Sequence, residues 1–288
     1  MNRWIAGARP RTLPAAVVPV ALGVASAVGE PVHVWWRAVP ALVVSLALQV
    51  GVNYANDYSD GVRGTDEVRV GPTRLVASGL APASAVKRAA LLSFLVAAVA
   101  GLVLALVTTP WLLVVGAAAI LAAWFYTGGP RPYGYLGLGE VFVFVFFGLV
   151  ATAGSAYVVA ESVTAVAWLA GCAAGCLACA LLVVNNLRDI PTDREVGKRT
   201  LAVRLGDRRT RVLYASLVGA AMVLVLVIAI ADRPLAALGL LGVLAAWPAI
   251  GKVLDGASGV QLIAVLGATG RAQLITGLLT ALGIAVAG

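Results

Sequence analysis

The chain has 288 residues, of which 61% are hydrophobic and only 12% charged, with a formal net charge of +8. A soluble domain carries about 25% charged residues, so water is excluded as the solvent for most of this surface. The bilayer takes that place, in keeping with a mean hydropathy of +0.97. The positive charge then reads as a topological signal and not as an affinity for nucleic acid.

Apolar runs of roughly 20 residues, long enough for helices to cross the hydrocarbon core, recur along the chain at 12–29, 38–56, 84–107, 110–127, 139–160, 163–187, 210–231, 234–252 and 270–287. They predict an all-α membrane protein, a bundle of about nine transmembrane helices around a central cavity, because lipid cannot satisfy open sheet edges. The first run has a rival reading. Its basic lead and Ala25-Ser26-Ala27 outline a cleavable signal peptide, but the later runs supply their own insertion signals, and it is taken as the first span. The last run is the least sharply defined, because Gly267, Gly270 and Arg271 blur its start. With nine spans, every Lys and Arg except Arg37 and Arg233 falls on the side of the N-terminus. The positive-inside bias places that terminus in the cytoplasm and the C-terminus outside, in a multi-pass protein of the cell membrane.

Two connections on the predicted inner side, 57–83 and 188–209, are long and polar, and long ordered loops usually carry function. Asn53, Asn56, Asp57 and Asp60 stand at i, i+3, i+4 and i+7, one helical face at the inner end of the second span. Asp66 follows. Asn185 and Asp189 repeat the i, i+4 spacing at the inner end of the sixth span, with Asp193 beyond. Pro191 predicts a break or kink there, and Thr192 with Glu195 resembles the capping box of a new short helix. Asp189 follows Asp57 by 132 positions and Asp193 follows Asp60 by 133. That spacing suggests one domain, 1–288, built of two related halves, about 1–130 and 131–252, plus a last helix.

Gathered carboxylates repel one another unless a cation joins them. Oxygen donors without His or Cys favour Mg2+, which takes one or two carboxylates and completes its shell with water and phosphate oxygens. The clusters therefore point to a phosphate-bearing substrate; the competing reading is a solvated acidic loop paired with arginines. Arg63, Arg74, Arg131, Arg188, Arg194, Lys198 and Arg199 are candidates for diphosphate oxygens, Arg131 being the only basic residue in its short loop. Segment 124–147 is rich in aromatic residues, Tyr126 among them. Phe142, Phe144 and Phe146 lie deeper than an interfacial belt needs, either to stabilise a cation or to face lipid. Cys172, Cys176 and Cys179 share one face of an apolar helix with no second ligand pair nearby, and read as small buried hydrophobes.

These segments together resemble the UbiA superfamily of intramembrane prenyltransferases, with Asn56-Asp57-x-x-Asp60 and Asp189-x-x-x-Asp193 in place of its two Asp-rich motifs. The 1,4-dihydroxy-2-naphthoate polyprenyltransferase branch is most similar, through ARPRTLPAA at 8–16, NDYSDGVRGTD at 56–66, GPTRLVASG at 71–79, YTGGPRPYGYLGLGE at 126–140 and NNLRDIPTDREVGKRTLAVRLG at 185–206. The broad superfamily expects a further Asp four residues after Asp60. Here that position is Gly64 and the acid is Asp66, whose role stays open. The resemblance implies Mg2+-dependent transfer of a polyprenyl chain from its diphosphate to dihydroxynaphthoate, with loss of diphosphate and CO2, in menaquinone biosynthesis. It implies Asn53, Asn56, Asp57, Asp60, Asn185, Asp189 and Asp193 as metal ligands, the four aspartates being catalytic. Arg63, Arg74, Tyr126, Arg131 and Lys198 would hold the diphosphate, and Arg9 the acceptor carboxylate. The alternatives are a 4-hydroxybenzoate polyprenyltransferase and, in a different class, a cation-coupled transporter. A transporter would place ionisable groups near the bilayer midplane.

Overall fold

A lipid-embedded segment must satisfy its backbone polar groups internally. The computed structural model describes residues 2–65, 71 and 74–288, and among them there is no strand. The helices are α1 (Arg3–Ala8), α2 (Pro14–Ala25), α3 (Ala38–Arg63), α4 (Ala83–Val107), α5 (Trp111–Phe125), α6 (Gly139–Val143), α7 (Ala151–Ala160), α8 (Ala165–Glu195), α9 (Leu201–Leu205), α10 (Asp207–Ala231), α11 (Gly242–Leu254) and α12 (Gln261–Ala287). A π-helical segment, Phe144–Val150, joins α6 to α7, and a 3-10 stretch, Pro234–Leu241, leads into α11.

Among the described residues, seven helical segments are long and apolar enough to cross a membrane: Trp35–Arg63, α4, Gly139–Ala160, α8, α10, Pro234–Leu254 and α12. The runs expected at 12–29 and 110–127 form shorter apolar helices instead, the 12-residue α2 and the 15-residue α5. Pro14 starts α2, where its missing N–H costs nothing, and positive-φ Gly29 lies just past its end. Three other spans, α3, α8 and α12, are longer than expected. α3 continues seven residues past 56, to Arg63, where left-handed Gly64 caps it. α12 begins at Gln261, and Gly267 and Gly270 stay helical within it.

The break expected at Pro191 does not occur, and Thr192 is no N-cap. α8 runs through to Glu195. Proline removes only the one backbone bond to the Leu187 carbonyl, and the Thr192 hydroxyl adds a separate bond to the Asp189 carbonyl at 3.1 Å. Leu187 and Ile190 anchor the same turn in the largest apolar cluster. Asp189 and Asp193 therefore sit on one helical face.

α8 is the axis of the bundle, packed on α10, the π-helical segment, α12 and α2. Its small residues permit the close approach that membrane helices depend on. A Cβ at Gly148 would lie 2.5 Å from the Gly175 Cα and 2.7 Å from the Gly171 carbonyl oxygen. Cys176 and Cys179 are buried in this interface and all three cysteines are free thiols, as the small-hydrophobe reading expects. Large apolar side chains such as Leu106, Trp111, Ile230 and Trp247 are the most exposed, which fits a lipid-facing perimeter. Overpacking the tight crossing should cost about 1–3 kcal/mol, so Gly148→Val should lower the melting temperature of the detergent-solubilised protein, as measured by thermal aggregation.

Candidate active site

α3 and α8 bring their C-terminal turns to one cavity of about 830 Å3. Asn53, Asn56 and Asp60 line it from α3; Asn185, Asn186, Asp189 and Asp193 line it from α8. The i, i+3, i+7 and i, i+4, i+8 spacings make this possible, since each set falls on one face. Arg9, Arg74, Tyr126, Thr127, Tyr135 and Lys198 complete the polar end. The remainder is mainly apolar, with Ser45, Gln49 and Ser155 among its few polar members, and reaches Ala41, Leu104, Leu112 and Val158 near the opposite ends of their helices. From Ala41 to Asp60, α3 rises about 28 Å. The cavity is thus a long apolar chamber with one charged end, the shape of an amphiphile with a compact anionic head.

Carboxylates at a helix C-terminus face the negative end of the macrodipole, an arrangement unfavourable by about 0.3–1 kcal/mol each. The structure offsets it with donors and cations. Asp60 accepts the Tyr135 hydroxyl at 2.6 Å and pairs with Lys198 Nζ at 3.2 Å. Lys198 also lies 4.7 Å from the Tyr135 ring centroid. Asp189 is gripped by the neighbouring Arg188, Nε to Oδ1 at 2.8 Å and Nη2 to Oδ2 at 2.9 Å, and the same Nη2 donates to Asn185 Oδ1 at 2.9 Å. The Lys198 backbone N–H reaches the Asp193 carbonyl at 2.8 Å, tying the loop after α8 to the cluster.

Asp57 plays a different part. It is fully buried, is not among the cavity-lining residues, and accepts backbone N–H groups from Leu75 at 2.8 Å and Val76 at 3.1 Å. Leu75, also fully buried, packs where Gly7 leaves room, and Val76 sits against Gly61. Asp57 therefore anchors the strap that delivers Arg74 to the cavity. Two further expected residues stay away from it. Arg63 is exposed, donates to the carbonyls of Thr127 and Gly129, and lies 5.5 Å from the Tyr135 ring centroid. Arg131, expected from its isolation in a short loop, is exposed and outside the lining. Asp66 lies outside the described residues. Arg9 lines the cavity with backbone in the left-handed region, φ 54°, and its Nη2 reaches the Asn53 carbonyl at 3.4 Å. The Asn53 amide in turn donates to the Ala8 carbonyl at 2.9 Å and the Thr12 hydroxyl at 3.0 Å.

Sequence reasoning missed several members. Tyr135 orients Asp60, Thr127 donates to Asn56 Oδ1 at 2.8 Å, and buried Glu140 accepts from Asn186 Nδ2 at 3.0 Å. Glu140 had a signal, being the acid at the head of an otherwise apolar run, where an ionisable group is by default a functional candidate. Of the deep phenylalanines, Phe142 and Phe146 line the cavity, and Phe142 stacks on Tyr133 at 3.9 Å. Phe144 instead packs against Gly175 and the Cys176 cluster. The π-helical segment, a feature frequent at functional sites, sets this division.

A multi-pass helical bundle whose paired carboxylate-bearing helices close one end of a long apolar chamber is the frame of an enzyme acting on membrane amphiphiles. Residues 16–259 match the UbiA prenyltransferase family, and the chain belongs to that family. It is 53% identical over 279 residues to the 1,4-dihydroxy-2-naphthoate octaprenyltransferase of Mycobacterium tuberculosis, covering 97% of this chain and 95% of that one. The Escherichia coli protein of the same name is 39% identical over 234 residues, 76% of this chain and 74% of the relative. A solved UbiA homolog from Archaeoglobus fulgidus, bound to GPP and Mg2+, shares the fold at a TM-score of 0.68 and 14% identity, over 99% of this chain and all of that one.

Losing two charge-assisted hydrogen bonds at buried Asp57 should cost roughly 2 kcal/mol or more, so Asp57→Ala should lower thermal stability and activity together. Asp60→Asn keeps the shape and should lower activity with little loss of melting temperature. Burial, and then the Asp60 carboxylate, raise the Tyr135 hydroxyl above its ordinary value of 10.0. A raised folded-state pKa means stability fully present below the unfolded value and lost as pH climbs through the folded one. The melting-temperature gap between wild type and Tyr135→Phe should accordingly stay constant from about pH 6 to 9 and shrink only above about pH 10.

Proposed function

We propose that the chain transfers a polyprenyl group from polyprenyl diphosphate to 1,4-dihydroxy-2-naphthoate, releasing diphosphate and CO2, in menaquinone biosynthesis. The observation that carries this reading is the single cavity joining Asp60, Asp189 and Asp193 to an apolar chamber about 28 Å long. The naphthoate acceptor is supported by the relatives of that name at 53% and 39% identity.

The donor set fits Mg2+. Among the described residues no three His, Cys, Asp or Glu side chains form a self-sufficient metal site. Magnesium needs no such cage, because it takes one or two carboxylates and fills its shell with water and substrate phosphate oxygens. Asp60, Asp189 and Asp193, with the amides of Asn53, Asn56 and Asn185, would hold it. The two partners on Asp60 leave acceptor capacity on a carboxylate with about four lone-pair sites. Bound there, the metal supplies Lewis-acid stabilisation of the departing diphosphate.

The chain's own residues do the rest. Lys198 and Arg74 place positive charge at the head of the cavity, where diphosphate charge grows as the allylic C–O bond breaks. Tyr133, Phe142 and Phe146 line the space beside it as a stacked aromatic group, and a desolvated aromatic ring stabilises a cation by about 2 kcal/mol or more. The apolar walls keep out water that would quench that cation. Arg9, held in a strained conformation beside Asn53, would pair with the acceptor carboxylate.

The topology of this reading has the short helices α2 and α5 crossing as well, giving nine spans. The basic inner loops put the N-terminus and the cavity head in the cytoplasm. Packing of α3 on α4 and of α8 on α10, four spans apart, supports two related halves. Purified enzyme, Mg2+ and labelled polyprenyl diphosphate should yield prenylated naphthoate and free diphosphate, with no product from 4-hydroxybenzoate and none after chelation. Asp189→Asn and Asp193→Asn should each lower kcat by about 100-fold or more. Equal turnover of 4-hydroxybenzoate would overturn the acceptor assignment, and full activity in both variants the site.

A further inference from the structure

A second, smaller cavity of about 360 Å3 lies between the turn ahead of α2 and the first half of α12. Pro10, Pro14, Ile263 and Leu274 give it an apolar floor. Arg11 and Arg271 are its charged members, and its lining contains no carboxylate. Backbone packing brings the two arginines together. A Cβ on Gly270 would stand 2.8 Å from the Arg11 carbonyl oxygen, and Arg271 Nη1 folds back to 3.8 Å from the corresponding point on Gly267, one turn earlier. Both arginines are exposed. Two guanidiniums around one hollow repel each other unless an anion lies between them.

The height of the site says which anion. From Arg271 to Ala287, α12 rises about 24 Å, close to the hydrocarbon thickness of about 30 Å. The Arg271 backbone therefore lies a few ångströms below the headgroups, close enough for its long side chain to reach the lipid phosphates, on the side where Arg11 and Ile263 also line the main cavity. We propose that Arg11 and Arg271 form a binding site for the phosphate headgroup of an anionic phospholipid, whose acyl chain lies along Ile263 and Leu274. The site is separate from the diphosphate site and would keep an anionic lipid resident beside the chamber.

Full-length protein in nanodiscs of phosphatidylcholine with 30% phosphatidylglycerol, then released for native mass spectrometry, tests this. Wild type should retain phosphatidylglycerol over phosphatidylcholine by roughly 30-fold, the order expected for two arginines at an anionic surface. The Arg11→Gln, Arg271→Gln double variant should lose that preference, and the Arg11→Lys, Arg271→Lys variant, which keeps the charge, should retain most of it. Equal retention of the two lipids by wild type, or an undiminished preference in the glutamine variant, overturns the proposal. So does displacement of phosphatidylglycerol by geranyl diphosphate, which would assign the site to the donor substrate instead.

Discussion

The structure turns on negative charge placed where a helix least favours it. Asp60 lies in the last turns of α3, and Asp189 and Asp193 in those of α8, so their carboxylates add to the negative ends of two macrodipoles inside a largely apolar bundle. That arrangement persists only with compensation. Tyr135 and Lys198 supply it at Asp60, and Arg188 at Asp189. An apolar replacement would pack more cheaply, since buried ionic groups seldom improve stability over well-packed hydrophobes. Buried charges kept at such a cost serve something other than stability.

Much of the architecture serves to hold that charged end against a dry chamber. The Gly148 crossing lets the π-helical segment approach α8 closely, which aims Phe142 and Phe146 inward and Phe144 towards α8. The Arg188–Asp189–Asn185 network orients the cluster within α8, and the Lys198 backbone bond ties the loop after α8 to it. On the other side, Asp57 spends its carboxylate on the backbone of Leu75 and Val76, and so positions Arg74. Two aspartates three residues apart on one helix thus do different work. Asp60 lines the cavity, while Asp57 holds the segment that brings Arg74 to it.

The basic residues divide in the same way between the cavity and the surface. Lys198 and Arg74 are buried at the chamber head, where low dielectric magnifies each charge. Arg63 and Arg131 are exposed, where solvent and salt weaken them. Arg63 instead secures the turn at 127–129 whose Thr127 orients Asn56.

By itself the sequence determined the solvent, the helical class, the approximate positions of the long spans and the two acidic faces. Each of these depends on local properties: apolar length against bilayer thickness, and the helical period that puts Asn53, Asn56 and Asp60 on one side. Only the tertiary structure decided the rest. The 12-residue extent of α2 cannot be read from composition, because where an apolar run stops being helical depends on what packs around it. The continuity of α8 through Pro191 depends on the Thr192 hydroxyl and on buried Leu187 and Ile190, long-range packing that a proline rule cannot anticipate. The division of labour between Asp57 and Asp60, and between Lys198 and Arg131, is set by partners distant in the chain. Spacing says which residues share a face, but contacts between elements say what that face meets.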